Sequence, residues 1–288
     1  MTEPARTAVL LTVAYDGSSF AGFVVQPEQR TIAGELLGAL QALDPSIRHL
    51  RGASRTDSGV HAHGQRVAFD PQVVMPMRGW VLATTRHLPK EITVRRAARV
   101  PAGYTPRFDS QHKHYRYLLL RDMARDPFLE ARAWRLEGLR DPEVLARAAA
   151  EAALAVGTHD FAAFRSSADM RQDTMRTLRR VSISEDPSDP RLLRVDVEGT
   201  AFMHNMVRIL VGTIVDVARG RLEPGAITRA LASGQREDAG ITAPPDGLYL
   251  EHITLHDDGE EAWPPDAGAD EGAHSAERRA RPPREPRG

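Results

Sequence analysis

The segment with the clearest chemical potential runs from residue 52 to residue 62 and reads GASRTDSGVHA. It places Asp57 among small and polar residues directly after a predicted strand, and loops at strand ends commonly carry functional groups. A carboxylate flanked by a guanidinium, here that of Arg55, keeps a low pKa and stays charged when partly desolvated. Such a group suits a nucleophile or a general base. The alternative is an aspartate that only closes a turn by accepting backbone amides.

A pair of histidines follows in the same segment. His61 and His63 form an H-x-H pair, which on a strand can present two imidazoles to one face, as a zinc site requires. No third ligand lies at a recognisable spacing, and no HExxH motif is present. The chain has no cysteine, which excludes a thiolate metal site and a cysteine nucleophile. Metal-dependent hydrolysis through these histidines is therefore the weaker hypothesis, and the sequence predicts no metal.

A third candidate is the KHYRY segment, residues 113–117. On a strand, Tyr115 and Tyr117 point to one face while His114 and Arg116 point to the other. Two aromatic rings on one sheet face could stack a nucleobase, with the basic residues along phosphates. The alternative is that one or both tyrosines simply pack in the core.

A fourth candidate is Arg208, which lies within an apolar stretch that begins at His204. A cation buried there needs a carboxylate partner, because an unpaired buried charge is costly. Either its guanidinium reaches solvent along the apolar stem, or the fold brings an acidic group to it. Asp57 is one candidate partner.

The elements that must position these residues alternate along the chain. The predicted strands often come in hairpin-like pairs, with a helix after every few strands. This arrangement favours an α+β fold of two α/β halves with mainly antiparallel sheets. Thr31 and Asp141 are predicted helix N-caps, and Gly220 is a predicted C-cap. Predicted strands cover 8–14, 48–54, 65–69, 91–100, 114–120, 178–184, 192–197 and 247–253; predicted helices cover 32–43, 76–87, 142–156, 204–219 and 225–232.

Composition and charge define three parts: a domain over 1–110, a second over 111–256, and a tail over 257–288. The 288 residues suffice for about two domains. The net charge of −1 hides a tail with nine acidic and five basic residues, so residues 1–256 carry a net +3. That mildly basic body permits a nucleic-acid partner. The tail is poor in apolar residues, which predicts disorder.

Without an apolar run long enough for a membrane span or a signal peptide, we expect no membrane association and a cytoplasmic location.

In combination and in this order, these segments resemble the tRNA pseudouridine synthases that modify positions 38–40 of the anticodon arm. The likeness extends from about residue 11 to residue 253, and its RTDSGVHA block is highly specific. The matching blocks are YDGS at 15–18, RT at 30–31, GEL at 34–36, RTDSGVHA at 55–62, KHYRY at 113–117, GTHDF at 157–161, HNMVR at 204–208 and TAPPDGLYL at 242–250.

The resemblance implies a role for each matched position. Asp57 stands at the essential aspartate, and Tyr115 at the tyrosine that stacks on the target uracil. Arg208 stands at the arginine that pairs with the catalytic carboxylate, and Arg55 at the arginine implicated in displacing the target nucleotide. The family implies two α/β domains with RRM-like antiparallel sheets around a central cleft, no metal or organic cofactor, and a homodimer that binds the tRNA anticodon arm. Three routes stay open for the carboxylate: attack on the sugar, attack on the base, or removal of a sugar proton.

Several positions depart from the family pattern. Phe23 stands where tryptophan is usual, Ser54 where glycine is common, Thr85 where asparagine is usual and Ile241 where proline is usual. The charged C-terminal extension is outside the pattern. An RNA-binding protein without activity on the same scaffold is the alternative function, and retention of the aspartate, tyrosine and inner arginine argues against it.

Overall fold

Eleven strands form one sheet in the described part of the chain, which covers residues 7–137, 139 and 141–265 of the computed structural model. The strands are β1 (Thr7–Tyr15), β2 (Arg51–Gly52), β3 (His61–Phe69), β4 (Ile92–Pro101), β5 (Ser110–Leu120), β6 (Trp134–Arg135), β7 (Gly157–Asp160), β8 (Met175–Glu185), β9 (Leu192–Gly199), β10 (Leu248–Leu255) and β11 (Glu260–Trp263). The predicted strand over 48–54 is wrong in extent, because only Arg51 and Gly52 of that stretch pair with a neighbour, β3.

Helices begin and end close to their predicted bounds. They are α1 (Ile32–Gln41), α2 (Met77–His87), the single turn α3 (Pro106–Asp109), α4 (Pro142–Ala153), α5 (Met206–Ala218) and α6 (Ala226–Ser233). Thr31 caps α1 by accepting the Gly34 amide at 3.2 Å. Asp141 caps α4 by accepting the Glu143 amide at 2.8 Å. Gly220 follows α5 in the left-handed conformation. No helix among the described residues is long and apolar enough to cross a membrane.

The sheet is mainly antiparallel, as predicted. Its order is β11-β4-β1-β3-β10-β5-β9-β8-β7, with β2 beside β3 and β6 beside β5. Along this path each neighbouring pair is antiparallel except β3 and β10, which run parallel. The strongly apolar β1 lies between β4 and β3 and is buried over most of its length. The α+β class is therefore confirmed.

The join between the two halves is the feature that the sequence pattern does not predict. β10 comes from the end of the chain and inserts between β3 and β5, with Leu250 opposite Ala62 on one side and Tyr115 on the other. One continuous sheet thus replaces the two separate sheets that the sequence suggests. The predicted boundary at residue 110 coincides with the start of β5, and the division into domains stays a prediction.

The tail prediction needs a correction at its beginning. Residues 257–265 are ordered, and β11 within them pairs with β4 at the edge of the sheet. Asp258 forms ion pairs with Arg66 of β3 and with Arg96 of β4. Neutralising those covered arginines offsets the ordering entropy of a segment with little apolar area. The remaining tail, 266–288, lies outside the described residues.

Candidate active site

The loop that carries Asp57 connects β2 to β3 and is fastened by side chains of β1 and β3. Gln65 donates from Nε2 to the Ser54 carbonyl oxygen at 2.9 Å and accepts the Ser54 amide at Oε1 at 3.3 Å. The Tyr15 hydroxyl hydrogen-bonds with Thr56 Oγ1 at 2.8 Å. Because Gln65, Tyr15 and Thr56 are buried, these bonds hold the loop on both sides of Arg55 and set the position of the carboxylate.

The turn after Asp57 requires glycine. Gly59 has φ +80°, and a Cβ there would lie 2.9 Å from Pro245 Cγ. Pro245 opens the 3₁₀ turn Pro245–Gly247 that leads into β10. The loop from the first half of the chain therefore packs directly against a turn from the second half, and a side chain at this position would separate them.

Arg208 lies in the first turns of α5 and points back toward Asp57. Its Nη1 lies 3.8 Å from Asp57 Oδ2 and donates to Asn205 Oδ1 at 2.9 Å. Its Nε donates to the Ala243 carbonyl oxygen at 2.7 Å. The alternative in which this arginine reaches into solvent is excluded by its small side-chain exposure, 16%. The fold supplies the carboxylate partner that the sequence pattern required.

His204 also contacts the carboxylate, a contact that the sequence pattern did not predict. Its Nε2 lies 3.4 Å from Asp57 Oδ1. Its amide donates to Asp169 Oδ2 at 3.0 Å, and Asn205 next to it adopts the left-handed conformation at φ +62°. The predicted helix start at residue 204 is wrong by two residues, because this turn precedes α5. The turn allows both the imidazole and the guanidinium to reach Asp57.

The electrostatics of Asp57 differ from the sequence-based expectation of a low pKa. Burial raises its pKa above the usual value, while the nearby charges of His204 and Arg208 act in the opposite direction. The Arg55 side chain is exposed and forms no ion pair with Asp57. Desolvation outweighs these two neighbours because neither His204 nor Arg208 forms a hydrogen bond with the carboxylate. The carboxylate is thus more basic than an aspartate in water.

Tyr115 lies beneath the same loop on β5. Its hydroxyl hydrogen-bonds with Ser54 Oγ at 2.9 Å, and its ring meets Phe202 edge-on with centroids 4.9 Å apart. Burial raises its pKa to about 12; the Ser54 hydrogen bond lowers it, and the charge of Asp57 raises it further. Only 5% of the residue is exposed. The ring therefore forms the floor beside Asp57, and Ser54, which departs from the family pattern, fixes its hydroxyl.

Lys113 lies two residues before Tyr115, on the same face of β5. Its Nζ donates to the Ala53 carbonyl oxygen at 2.9 Å and lies 3.4 Å from Ser54 Oγ. Burial lowers its pKa to about 8, with further lowering by the charges of Arg107 and Arg171. The Lys113 ammonium thus supports the start of the Asp57 loop, near two arginines.

Comparisons with known proteins find a matching family model and similar sequences. A sequence model described as tRNA pseudouridine synthase matches residues 152–254. The protein named tRNA pseudouridine synthase A from Citrifermentans bemidjiense is 39% identical over 246 residues, which cover 85% of this chain and 96% of that relative. The chain belongs to the tRNA pseudouridine synthase family.

Further relatives carry the same name. The protein from Halalkalibacterium halodurans is 38% identical over 240 residues, 83% of this chain and 89% of its own length. The protein from Bacillus licheniformis is 39% identical over 241 residues, 83% of this chain and 95% of its own length. The chain is therefore an isomerase that converts uridine to pseudouridine in tRNA, and the resemblance stated from its motifs is confirmed.

Three residues of β5 near Tyr115 or Lys113 form structural contacts in this synthase. His114 Nε2 lies 2.6 Å from Asp196 Oδ1, and Arg116 Nε donates to the same oxygen at 3.0 Å. Tyr117 is fully buried, and its hydroxyl donates to the Pro244 carbonyl oxygen at 2.7 Å. Of the KHYRY segment, His114 and Arg116 therefore share the Asp196 carboxylate, and Tyr117, on the same face as Tyr115, packs in the core.

His61 is a buried structural residue in this synthase. Its Nδ1 accepts the Gly17 amide at 3.1 Å, and its Nε2 faces the carbonyl oxygens of Ala131 and Asp246 at 2.9 and 3.1 Å. Burial lowers its pKa and the neighbouring Asp16 carboxylate raises it. Within the described residues, no three His, Asp or Glu side chains meet in an arrangement that could hold a metal ion.

Proposed function

We propose that the enzyme isomerises uridines at positions 38, 39 and 40 of the tRNA anticodon arm, with Asp57 as the essential carboxylate. The observation that carries this proposal is the meeting of Asp57, from the first half of the chain, with Arg208 and His204 from the second half. Tyr115 lies beside them. The motif resemblance supports the choice of the anticodon arm.

The proposed reaction uses groups of the chain alone. The target uridine leaves its stack and enters the site between the halves. Arg55, exposed on the tip of the loop, occupies the space that the uridine leaves. The carboxylate of Asp57 assists the breakage of the C1′–N1 bond, and the uracil rotates over Tyr115. A bond then forms between C1′ and C5, the C5 proton is lost, and N1 is protonated, so the product is an isomer of the substrate.

The surroundings of Asp57 shift the equilibrium between its ionised and neutral forms. Arg208 and His204 favour the carboxylate over the neutral acid, whereas burial favours the neutral acid. A buried carboxylate is a stronger base and nucleophile than one in water, because water no longer stabilises its charge. The charges of Arg208 and His204 offset part of the cost of burying the ionised carboxylate.

Two further features belong to the same proposal. We propose a homodimer in which one tRNA contacts both subunits, and a cytoplasmic location. Both follow from the resemblance of the motifs and from the apolar pattern of the sequence. Sedimentation with and without tRNA tests the first, and fractionation of cells tests the second.

The experiment uses unmodified tRNA transcripts in which only one of positions 38, 39 and 40 is a uridine, with EDTA in the buffer. Pseudouridine is mapped after incubation with the wild-type protein, Asp57→Asn, Asp57→Ala and the matched control Asp238→Asn. Asp238 is exposed on a short 3₁₀ turn, Arg236–Asp238. We expect product at these positions with the wild type and the control, and none with either Asp57 variant.

The outcomes separate the parts of the proposal. Product only at other uridines would refute the anticodon-arm assignment and leave the family unchanged. Product at the wild-type rate with Asp57→Asn would refute the role of the carboxylate. Loss of product in EDTA, restored by a divalent cation, would show that the reaction needs a metal.

A further inference from the structure

Two exposed apolar side chains lie in segments that contact the surroundings of the Asp57 loop. Phe108 on α3 is 85% exposed, and Met170, in the segment before β8, is 87% exposed. Single exposed apolar side chains are ordinary on protein surfaces. These two differ because each has an arginine next to it in the chain, Arg107 and Arg171, and because both segments are tied to residues around the site.

The segment with Met170 is attached directly to the residues around Asp57. Arg171 donates from Nη1 to the Phe202 carbonyl oxygen at 3.2 Å, and its Nε lies 3.1 Å from Asp169 Oδ1. Asp169 also accepts the His204 amide, and the ring of Phe202 packs against Tyr115. This segment is therefore connected to Tyr115 through Phe202 and to His204 through Asp169.

The turn α3 is the second segment. It packs against β2, the strand that leads into the Asp57 loop, and it runs directly into β5. The ammonium of Lys113 on β5 bonds the Ala53 carbonyl oxygen at the start of the loop. The charges of Arg107 and Arg171 both lower the pKa of Lys113, so both arginines lie near this lysine.

Two of the arginines near the Asp57 loop have no carboxylate partner. Within the described residues, no carboxylate lies within ion-pair distance of Arg55 or Arg107, and both side chains are exposed. Arg171 pairs with Asp169, and 47% of its side chain stays exposed. A cluster of cations with exposed apolar side chains is suited to a nucleic-acid backbone and its unstacked bases.

We infer that Phe108 and Met170, with Arg107 and Arg171, form a rim near Asp57 that holds the tRNA nucleotides next to the target uridine. Phe108 stacks on one flanking base, Met170 contacts the other, and the arginines bind the adjoining phosphates. This inference rests on the proposed function only in requiring an RNA strand to enter beside Asp57. It adds the residues that hold the neighbours of the reacting nucleotide.

The test measures equilibrium binding of a tRNA that the wild-type enzyme modifies, at salt concentrations from about 50 to about 200 mM. We expect Phe108→Ala to weaken binding at least about 5-fold at each salt concentration, because base stacking on an aromatic ring does not depend on salt. Arg107→Gln and Arg171→Gln should each reduce the slope of log affinity against log salt by about 0.7 to 0.9, the value for one lost phosphate contact. Phe108→Tyr, which keeps a stacking ring, should bind as the wild type does.

Matched controls lie elsewhere on the chain. Phe128 is 84% exposed in the connection after β5, so Phe128→Ala removes an equally exposed ring. Arg147 is exposed on α4, so Arg147→Gln removes an equal charge. Both controls should bind tRNA with the wild-type affinity and slope. Thermal unfolding of each variant checks that its fold is intact, which the exposure of Phe108 leads us to expect.

Three results would overturn the inference: wild-type binding by Phe108→Ala, an equal loss with Phe128→Ala, or unchanged slopes with both arginine variants. The tRNA is chosen because the wild type modifies it at some uridine, whatever its position. A failure of the anticodon-arm assignment therefore leaves the binding test intact, and the two failures are distinguishable.

Discussion

Asp258 is a position at which the structure predicts a loss of stability that the sequence pattern would not suggest. It lies in the first part of the C-terminal extension and pairs with Arg66 and Arg96. The side chain of Arg66 is only 4% exposed, whereas that of Asp258 is 52% exposed. Burial lowers the pKa of Arg66, and the charge of Asp258 raises it again. Asp258→Asn removes that compensating charge and leaves the shape of the segment nearly unchanged.

The size of the effect depends on the hydrogen bonds that each arginine keeps after the substitution. Removal of one partner from a fully buried ion pair costs about 3–5 kcal/mol. Here the carboxylate is half exposed, so water screens the pair. Arg66 keeps its bond to Thr12 Oγ1 at 3.0 Å, and Arg96 keeps its bond to the Asp258 carbonyl oxygen at 3.2 Å. We therefore expect a loss of about 2 kcal/mol in the free energy of unfolding.

The assay is thermal unfolding followed by circular dichroism. For a chain of this size about 2 kcal/mol corresponds to a decrease in Tm of roughly 3–4 °C, since the entropy of unfolding is about 2.1 cal/mol/K per residue. Glu260→Gln is the matched control, because it removes one negative charge from an exposed position two residues away, and we expect less than about 0.5 kcal/mol for it. Equal Tm values for Asp258→Asn, the control and the wild type would show that the extension does not stabilise the buried arginines.

Three further predictions concern the site. Tyr115→Leu should reduce turnover more than tRNA affinity, measured by single-turnover kinetics and equilibrium binding, since many phosphate contacts supply affinity; an equal loss of both would make the tyrosine purely structural. Asp57→Asn should raise Tm at neutral pH, because the raised pKa of the folded carboxylate means that stability falls as pH increases from the unfolded pKa through the folded one. That gain should vanish in acid below the unfolded pKa, and a gain that persists there would contradict the burial argument. Gly59→Ala should cost about 1–3 kcal/mol in urea unfolding through its positive φ and its contact with Pro245, and an unchanged midpoint would show that the turn adapts.

Most elements were predictable from local patterns. The apolar run of β1, the Thr31 and Asp141 caps and the glycine after α5 predict their elements because each acts within a few residues. β7 and β11 were missed, since Gly157–Asp160 and Glu260–Trp263 show no clear alternation of apolar and polar residues. They become strands only because a neighbouring strand edge offers hydrogen-bond partners.

The site was predictable in its residue types and less so in its contacts. The motif blocks identify Asp57, Tyr115 and Arg208, and their catalytic roles stay predictions that the experiments above test. His204 was missed, although its place four residues before Arg208 in HNMVR was a usable signal. Lys113 was recognised only as part of a basic and aromatic segment. Its contact with Ala53 depends on β5 passing beneath the catalytic loop.

The sequence by itself determined the family, the α+β class and the candidate aspartate, because motif identity and short-range periodicity are properties of neighbouring residues. Only the tertiary structure decided that one sheet joins both halves through β10, and that Asp57 meets Arg208 and His204. It also decided the direction of the Asp57 pKa shift. Burial and charge separation depend on residues about 150 positions apart in the chain, and no local pattern records how closely folding brings them together.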